Sequence, residues 1–126
     1  MINEHDIKDM WPGHPSKELD PNGKSPKEPG TKLDAGKSAV YQGLFDYFPQ
    51  ACMAVADVST AGALKYTWNG WETVPDGETR YRNALGRHLL NRCIDGPLDP
   101  DGFLHDAQIA WNAMAVLELS LRKQTK

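Results

Sequence analysis

Residues 80–119 decide the fold, because their pattern predicts a helix, a loop and another helix: RYRNALGRHLLNRCIDGPLDPDGFLHDAQIAWNAMAVLEL. The first of these helices begins near residues 76–79, where Asp and Thr side chains can cap it, and runs to about Cys93. The segment DGPLDPDG predicts a loop, since it holds two prolines and two Asp-Gly steps. The last helix runs from about Phe103 to Lys123, and its apolar residues occupy several faces. That pattern predicts a central helix or one in an oligomer interface.

A further helix precedes this stretch. It begins at Pro49, which suits a first helical turn because the missing N–H would be unpaired there, and it continues through PQACMAVADVSTAGALKY. The segment AVYQGLFDYF before it is ambiguous between a short helix and an irregular packed stretch. Residues 11–30 hold five prolines, three glycines and many charges, too little apolar surface to offset the entropy of ordering. We therefore predict an all-α domain of three to four helices over residues 35–126, after an extended Pro/Gly-rich tail over residues 1–34.

Composition narrows the classes of function. The chain has 126 residues and a net charge of -3, which suits a single domain and argues against an extended nucleic-acid footprint. No apolar run approaches the roughly 18 residues that span a bilayer, and the first residues lack the apolar segment of a secretory signal. We therefore expect no membrane partner and a cytoplasmic location. Cys52 and Cys93 are too few for a disulfide framework and are interpreted as buried free thiols. Met10 and Trp11, in the tail, can dock on the domain or on a neighbouring subunit.

Three polar clusters predict a site for a nucleotide-like anion. The first is KYTWNGW, residues 65–71, which joins a cation, three aromatic rings and an amide at a helix end. Aromatic faces can stack on a base, and a lysine can neutralise a phosphate. The alternative is a packed helix terminus with buried indoles. The candidate nucleotide-binding residues of this cluster are Lys65, Tyr66, Trp68, Asn69 and Trp71.

The second cluster lies on the helix that begins near residue 76. Arg80 and Arg87 are two helical turns apart and share a face, while His88 lies near the inner face. Arginine can bind phosphate oxygens with two parallel hydrogen bonds. The alternative is a solvated basic face beside a core histidine.

The third cluster is DPDGFLHD, residues 99–106. Its carboxylates and imidazole are close together in sequence, and such groups can bind a divalent metal ion. The alternative is that Asp101 caps the last helix while Asp99 orders the loop.

These pieces occur in an order that resembles a known family. DAGK at residues 34–37, AGALKYTWNGW at residues 61–71 and the stretch 80–119 are similar to the phage dATP/dGTP diphosphohydrolase N-terminal domain family, over about residues 32–121. The resemblance implies a bacteriophage protein in the cytoplasm of an infected cell and an all-α nucleotide-handling domain. It also implies cleavage of purine deoxynucleoside triphosphates to the monophosphate and pyrophosphate.

If the chain is such an enzyme, we expect a divalent cofactor, Mg²⁺ or Mn²⁺, that lowers the pKa of an attacking water. We expect Asp99, Asp101 and His105 to hold this ion, with His88 as a further ligand. His88 and Asp106 are the candidate general bases.

The nucleotide itself is expected to contact cations, rings and amides from several segments. Lysine and arginine side chains neutralise the phosphates, an indole stacks on the base, and an amide reads the edge of the base. The Gly-Lys step at Lys37 lacks the rest of a phosphate loop, but Lys37 remains a candidate. The nucleotide-binding residues expected are Lys37, Lys65, Tyr66, Trp68, Asn69, Trp71, Arg87 and Asn112.

A second reading is a protein that binds a nucleotide without cleaving it, and so sequesters it from host defence. The chain lacks the E-x-x-E and E-x-x-D pairs with which the broader MazG-like pyrophosphohydrolases hold magnesium. Binding needs only a complementary pocket, whereas catalysis needs groups aimed at the transition state. In either reading the apolar last helix predicts a homo-oligomer.

Overall fold

The computed structural model describes residues 18–124, which form two compact units divided between Tyr47 and Phe48. The expected docking of Met10 and Trp11 falls outside the described residues, as do the first seventeen residues of the predicted tail. Within the described residues the regular structure is helical, with one isolated antiparallel bridge between Leu98 and Leu104. This confirms the all-α prediction.

The N-terminal unit, over residues 18–47, consists of turns and one π-helical segment, Tyr41–Asp46. Asp20 organises the turns, because its carboxylate accepts hydrogen bonds from the backbone N–H groups of Lys32, Lys24 and Asn22. These bonds hold the pKa of Asp20 below its usual value, since they stabilise the ionised form. A short polar side chain thus orders a segment that has almost no core of its own.

The second unit, over residues 48–124, contains α1 (Pro49–Lys65), α2 (Gly77–Asp95) and α3 (His105–Gln124). All three helices were predicted from the sequence. A short 3₁₀ turn, Gly70–Thr73, lies between α1 and α2. The α2 helix ends at Gly96, whose φ of 95° is a conformation that glycine adopts without a steric penalty.

The expected caps differ from those in the structure. Asp76 occupies the position before α2, but its φ is 54° and its side chain makes no capping hydrogen bond. An N-cap side chain reaches the first helical N–H groups from extended backbone, which this left-handed residue does not have. The predicted capping by Asp76 or Thr79 is therefore wrong. Thr79 lies within the helix.

The α3 helix is central, since it packs against α2 along most of its length and also against α1. Ion pairs from Arg92 to Asp106, 2.8 Å, and from Lys123 to Glu78, 2.9 Å, show that α2 and α3 are antiparallel. The indole N–H of Trp111 on α3 donates to Ser59 Oγ on α1 at 2.8 Å. These contacts join both ends of α2 and the C-terminal half of α1 to α3.

Few apolar side chains are fully covered. Among residues 18–124 the buried apolar ones are Ala107 and Ala115, whereas Leu89, Leu90 and Ile94 in the last turns of α2 are exposed. Both cysteines are free, but Cys93 is exposed, so its predicted burial is wrong. The last turns of α2 thus carry exposed apolar residues, and no helix of the second unit covers them. None of the described helices is long and apolar enough to cross a membrane.

Candidate metal centre

The connection between α2 and α3 brings together three side chains that can bind a metal ion. His88 comes from α2, Asp99 from the connecting loop, and His105 is the first residue of α3. The two Nδ1 atoms are 3.0 Å apart. Asp99 Oδ2 lies 3.4 Å from Nδ1 of His88 and 3.6 Å from Nδ1 of His105. We call these three residues the His–His–Asp cluster.

The backbone of the loop sets the position of two of these residues. The N–H of Asp99 donates to Phe103 O, and the N–H of His105 donates to Pro97 O, both at 2.9 Å. Gly102, with a φ of 90°, allows the tight return between them. The other carboxylate oxygen of Asp99 accepts the N–H of Asp101, which leaves Oδ2 directed at the two imidazoles.

The cluster is largely shielded from solvent. The His105 side chain is 1% exposed, and its Nε2 is buried without a hydrogen-bond partner among the described residues. Burial lowers the pKa of His88, and this effect exceeds the opposing pull of Asp99. A neutral imidazole has the free lone pair that metal binding requires. Two imidazole nitrogens and a carboxylate oxygen that lie within 4.8 Å of one another can all reach one cation.

The two other carboxylates of this region are directed elsewhere. Asp101 Oδ1 accepts the N–H of Phe103 at 3.0 Å, and the Gln108 amide lies 3.4 Å from both carboxylate oxygens. The alternative in which Asp101 caps the last helix is wrong, because α3 begins four residues later. Asp99 orders the loop, as that alternative had it, and Asp101 does so as well. Asp106 forms an exposed ion pair with Arg92 at 2.8 Å.

The segment of residues 65–71 divides into an exposed part and a packed part. Tyr66 and Trp68 are 72% and 65% exposed, and Lys65 Nζ lies 5.3 Å from the centre of the Tyr66 ring. Trp71 instead packs edge-on against Trp111. The alternative of buried indoles therefore does not describe Trp68. Asn69 is exposed, and its backbone precedes the 3₁₀ turn.

The remaining predicted nucleotide ligands lie in different surroundings. Arg87 is exposed on α2. Asn112 is buried, and its amide donates to Gln108 O at 2.8 Å, so it helps to hold α3. Lys37 belongs to the N-terminal unit, where its Nζ pairs with Glu18 at 2.7 Å.

One contact of Trp71 was not predicted from the sequence. The guanidinium of Arg122, from the last turn of α3, lies 5.3 Å from the Trp71 ring centre and pairs with Glu72 at 3.3 Å. No local pattern links residues so far apart in the chain. Only the packing of α3 against the 3₁₀ turn brings them together.

Comparison with known proteins identifies the family. The family model described as dATP/dGTP diphosphohydrolase, N-terminal, matches residues 27–126, which include every member of the His–His–Asp cluster. No curated protein and no solved structure matches the chain. Because the match covers most of the chain, this protein belongs to the dATP/dGTP diphosphohydrolase N-terminal domain family.

Proposed function

We propose that this chain hydrolyses purine deoxynucleoside triphosphates to the monophosphate and pyrophosphate, with a divalent metal ion held by the His–His–Asp cluster. The family supports the substrate class, and the convergence of His88 Nδ1, His105 Nδ1 and Asp99 Oδ2 carries the proposal of a metal-dependent reaction. In the reaction, water adds to the α-phosphorus and the bond between that phosphorus and the bridging oxygen breaks. Pyrophosphate leaves, and one proton is released. The site of action we propose is the cytoplasm of a phage-infected bacterium.

The residues of the chain have distinct roles in this proposal. A bound divalent ion supplies a Lewis acid that polarises phosphate oxygens. His88 and His105 offer nitrogen ligands, and Asp99 offers an oxygen. With His88 directed into the cluster, Asp106 stays the general-base candidate from the sequence; its contact among the described residues is the ion pair with Arg92. Asp101, expected from the sequence to be a ligand, has the role of a loop-ordering residue here.

The exposed part of the 65–71 segment is the proposed base-binding surface. Tyr66 and Trp68 present aromatic faces to solvent, where a purine can stack on them. Lys65 is exposed beside Tyr66 and can neutralise a phosphate oxygen. Arg87 is the further phosphate-binding candidate, since it is exposed on α2 one residue before His88.

Product analysis tests the reaction. The chain, stripped of metal with a chelator and then supplied with one divalent ion at a time, is incubated with each deoxynucleoside triphosphate. We expect dGTP or dATP to yield monophosphate and pyrophosphate in equal amounts by ion-exchange chromatography. Release of diphosphate and inorganic phosphate would contradict the proposed bond. If no nucleotide is cleaved but one raises the melting temperature, the sequestering protein is the correct function.

A matched pair of variants ties turnover to the cluster. Asp99→Asn keeps the size of the side chain and its acceptor for Asp101 N–H, but removes the charge that faces the imidazoles. Asp57→Asn makes the same chemical change at an exposed position of α1. We expect turnover to fall at least 10-fold in the first variant and to stay unchanged in the second. Equal activity in both would exclude Asp99 from the mechanism.

We also propose that the chain forms a homo-oligomer through α3. Ala110, Met114, Leu117 and Leu121 follow the alternating four- and three-residue spacing of a coiled-coil seam. Met114 and Leu117 are 55% and 59% exposed. The buried apolar residues in the described part of this unit are two alanines, so a second copy that covers the seam adds stability.

Light scattering tests the assembly. We expect the native chain to have at least twice the mass of one chain, and Leu117→Glu to shift it towards the monomer. Leu64→Glu, on α1 outside the seam, is the control and should leave the mass unchanged. A monomeric native chain would contradict the proposed seam.

A further inference from the structure

The distances within the His–His–Asp cluster define where an ion fits. Three atoms separated by 3.0, 3.4 and 3.6 Å lie on a circle with a radius of about 1.9 Å. An ion bonded at about 2.1 Å to each atom therefore lies about 0.8 Å out of their plane. The angles between its bonds are then about 90° to 120°. All three ligands would thus lie on one side of the ion.

The donor atoms discriminate between classes of ion. Two of the three are imidazole nitrogens, and the third is a single carboxylate oxygen. Mg²⁺ prefers oxygen ligands and keeps much of its water, whereas Zn²⁺, Co²⁺ and Fe²⁺ bind imidazole strongly. Two histidines and one carboxylate on one side of an ion is also an established arrangement for transition metals with open positions.

Hydrogen bonding alone does not satisfy these atoms. One ring hydrogen can bridge the two Nδ1 atoms, but Asp99 Oδ2 at 3.4 and 3.6 Å lies beyond the usual length of such a bond. His105 is buried, and its Nε2 has no hydrogen-bond partner among the described residues. No hydrogen bond at Nε2 therefore offsets the loss of hydration of this ring. A cation bound by the two Nδ1 atoms and Asp99 Oδ2 would interact with all three atoms at once. It would also offset the free-energy cost of burying the His105 imidazole.

From these observations we infer that the cluster binds one imidazole-preferring transition ion, such as Zn²⁺, Co²⁺ or Fe²⁺, in preference to Mg²⁺. In the proposed reaction, phosphate oxygens and water would complete the coordination of such an ion. This last point rests on the proposed function, whereas the preference for the ion rests on the donor atoms alone.

Titration of the metal-stripped chain with Co²⁺, without nucleotide, tests the preference. We expect visible absorption bands that saturate at one Co²⁺ per chain, loss of these bands when Zn²⁺ is added, and no loss with a 100-fold excess of Mg²⁺. Displacement of Co²⁺ by an equal concentration of Mg²⁺ would overturn the inference. Binding with intact bands but no turnover would instead contradict only the proposed function.

Two further measurements assign the ion to the cluster. His88→Gln should weaken Co²⁺ binding at least 10-fold, while Asp57→Asn should leave it unchanged, with circular dichroism used to confirm folding. In the Co²⁺-loaded native chain, which needs no substitution, proton NMR should show two strongly shifted exchangeable signals, the Nε2–H protons of His88 and His105. Unchanged binding in His88→Gln, or the absence of both signals, would place the ion elsewhere.

Discussion

Replacing Ser59 by alanine tests how the base-binding surface is held on the fold. Ser59 Oγ accepts the Trp111 indole N–H at 2.8 Å, the polar contact that joins α1 to α3 among the described residues. Because α1 ends at Lys65, this bond also positions the exposed ring segment that follows. The Ser59→Ala variant keeps the helix but leaves a half-buried indole N–H without its partner.

The expected loss follows from two opposing terms. A lost hydrogen bond that leaves a partly buried donor unpaired costs about 1 to 3 kcal/mol. The higher helix propensity of alanine stabilises the variant by about 0.5 kcal/mol relative to serine. We therefore expect a net loss of about 1 kcal/mol, which lowers the melting temperature of a unit of this size by about 4 to 8 °C.

The neighbouring residue provides the control. Thr60 has a hydroxyl that donates to Ala56 O within the same exposed turn, so Thr60→Ala removes a local bond and gains helix propensity. Its melting temperature should stay level or rise. Thermal unfolding followed by circular dichroism measures both variants. Equal melting temperatures for Ser59→Ala and Thr60→Ala would refute the structural role of the Ser59 bond.

Three further predictions follow from hydrogen bonds elsewhere in the chain. Asp101→Asn keeps a carbonyl acceptor for the loop, so both the melting temperature and Co²⁺ affinity should remain near those of the native chain; a large loss of Co²⁺ affinity would restore this carboxylate as a ligand. Because its hydrogen bonds lower the pKa of Asp20, the stability they give is present above pH about 4 and is lost as pH falls through the lowered value. Amide exchange at Lys32 should accelerate there, and Asp20→Asn should remove the pH dependence. Tyr81→Phe deletes a 2.7 Å bond to Trp71 O and should cost about 1 kcal/mol in urea unfolding, whereas no change would show that the bond is dispensable.

The helices were predictable because their signals are local. Pro49 begins α1, and the glycines and prolines of residues 95–102 separate α2 from α3, as expected from the sequence. The exposure of Cys93 was not predictable, because the last turns of α2 carry apolar residues on more than one face and only packing decides which of them are covered. Asp76 does not cap α2 because its backbone is left-handed. Aspartate can adopt this conformation, but its presence in a sequence does not predict it.

The candidate site was predictable only in its residue types. His88, Asp99 and His105 were each singled out, but their common contact depends on the antiparallel register of α2 and α3, which a single sequence does not encode locally. Asp101 lies two residues from Asp99, but its carboxylate accepts the Phe103 N–H within the loop and is not part of the cluster. The residue types thus predicted the candidate ligands, whereas the tertiary packing determines which of them lie close together.

The central claim is that one ion in the His–His–Asp cluster enables cleavage of a purine deoxynucleoside triphosphate. Its most direct test is the rate of pyrophosphate release from dGTP as Co²⁺ is added in fractions of an equivalent to the metal-stripped chain. We predict no release without the ion, a linear rise in rate, and a break at one Co²⁺ per chain. Full activity in the presence of chelator, or no release at any amount of Co²⁺, would contradict the claim.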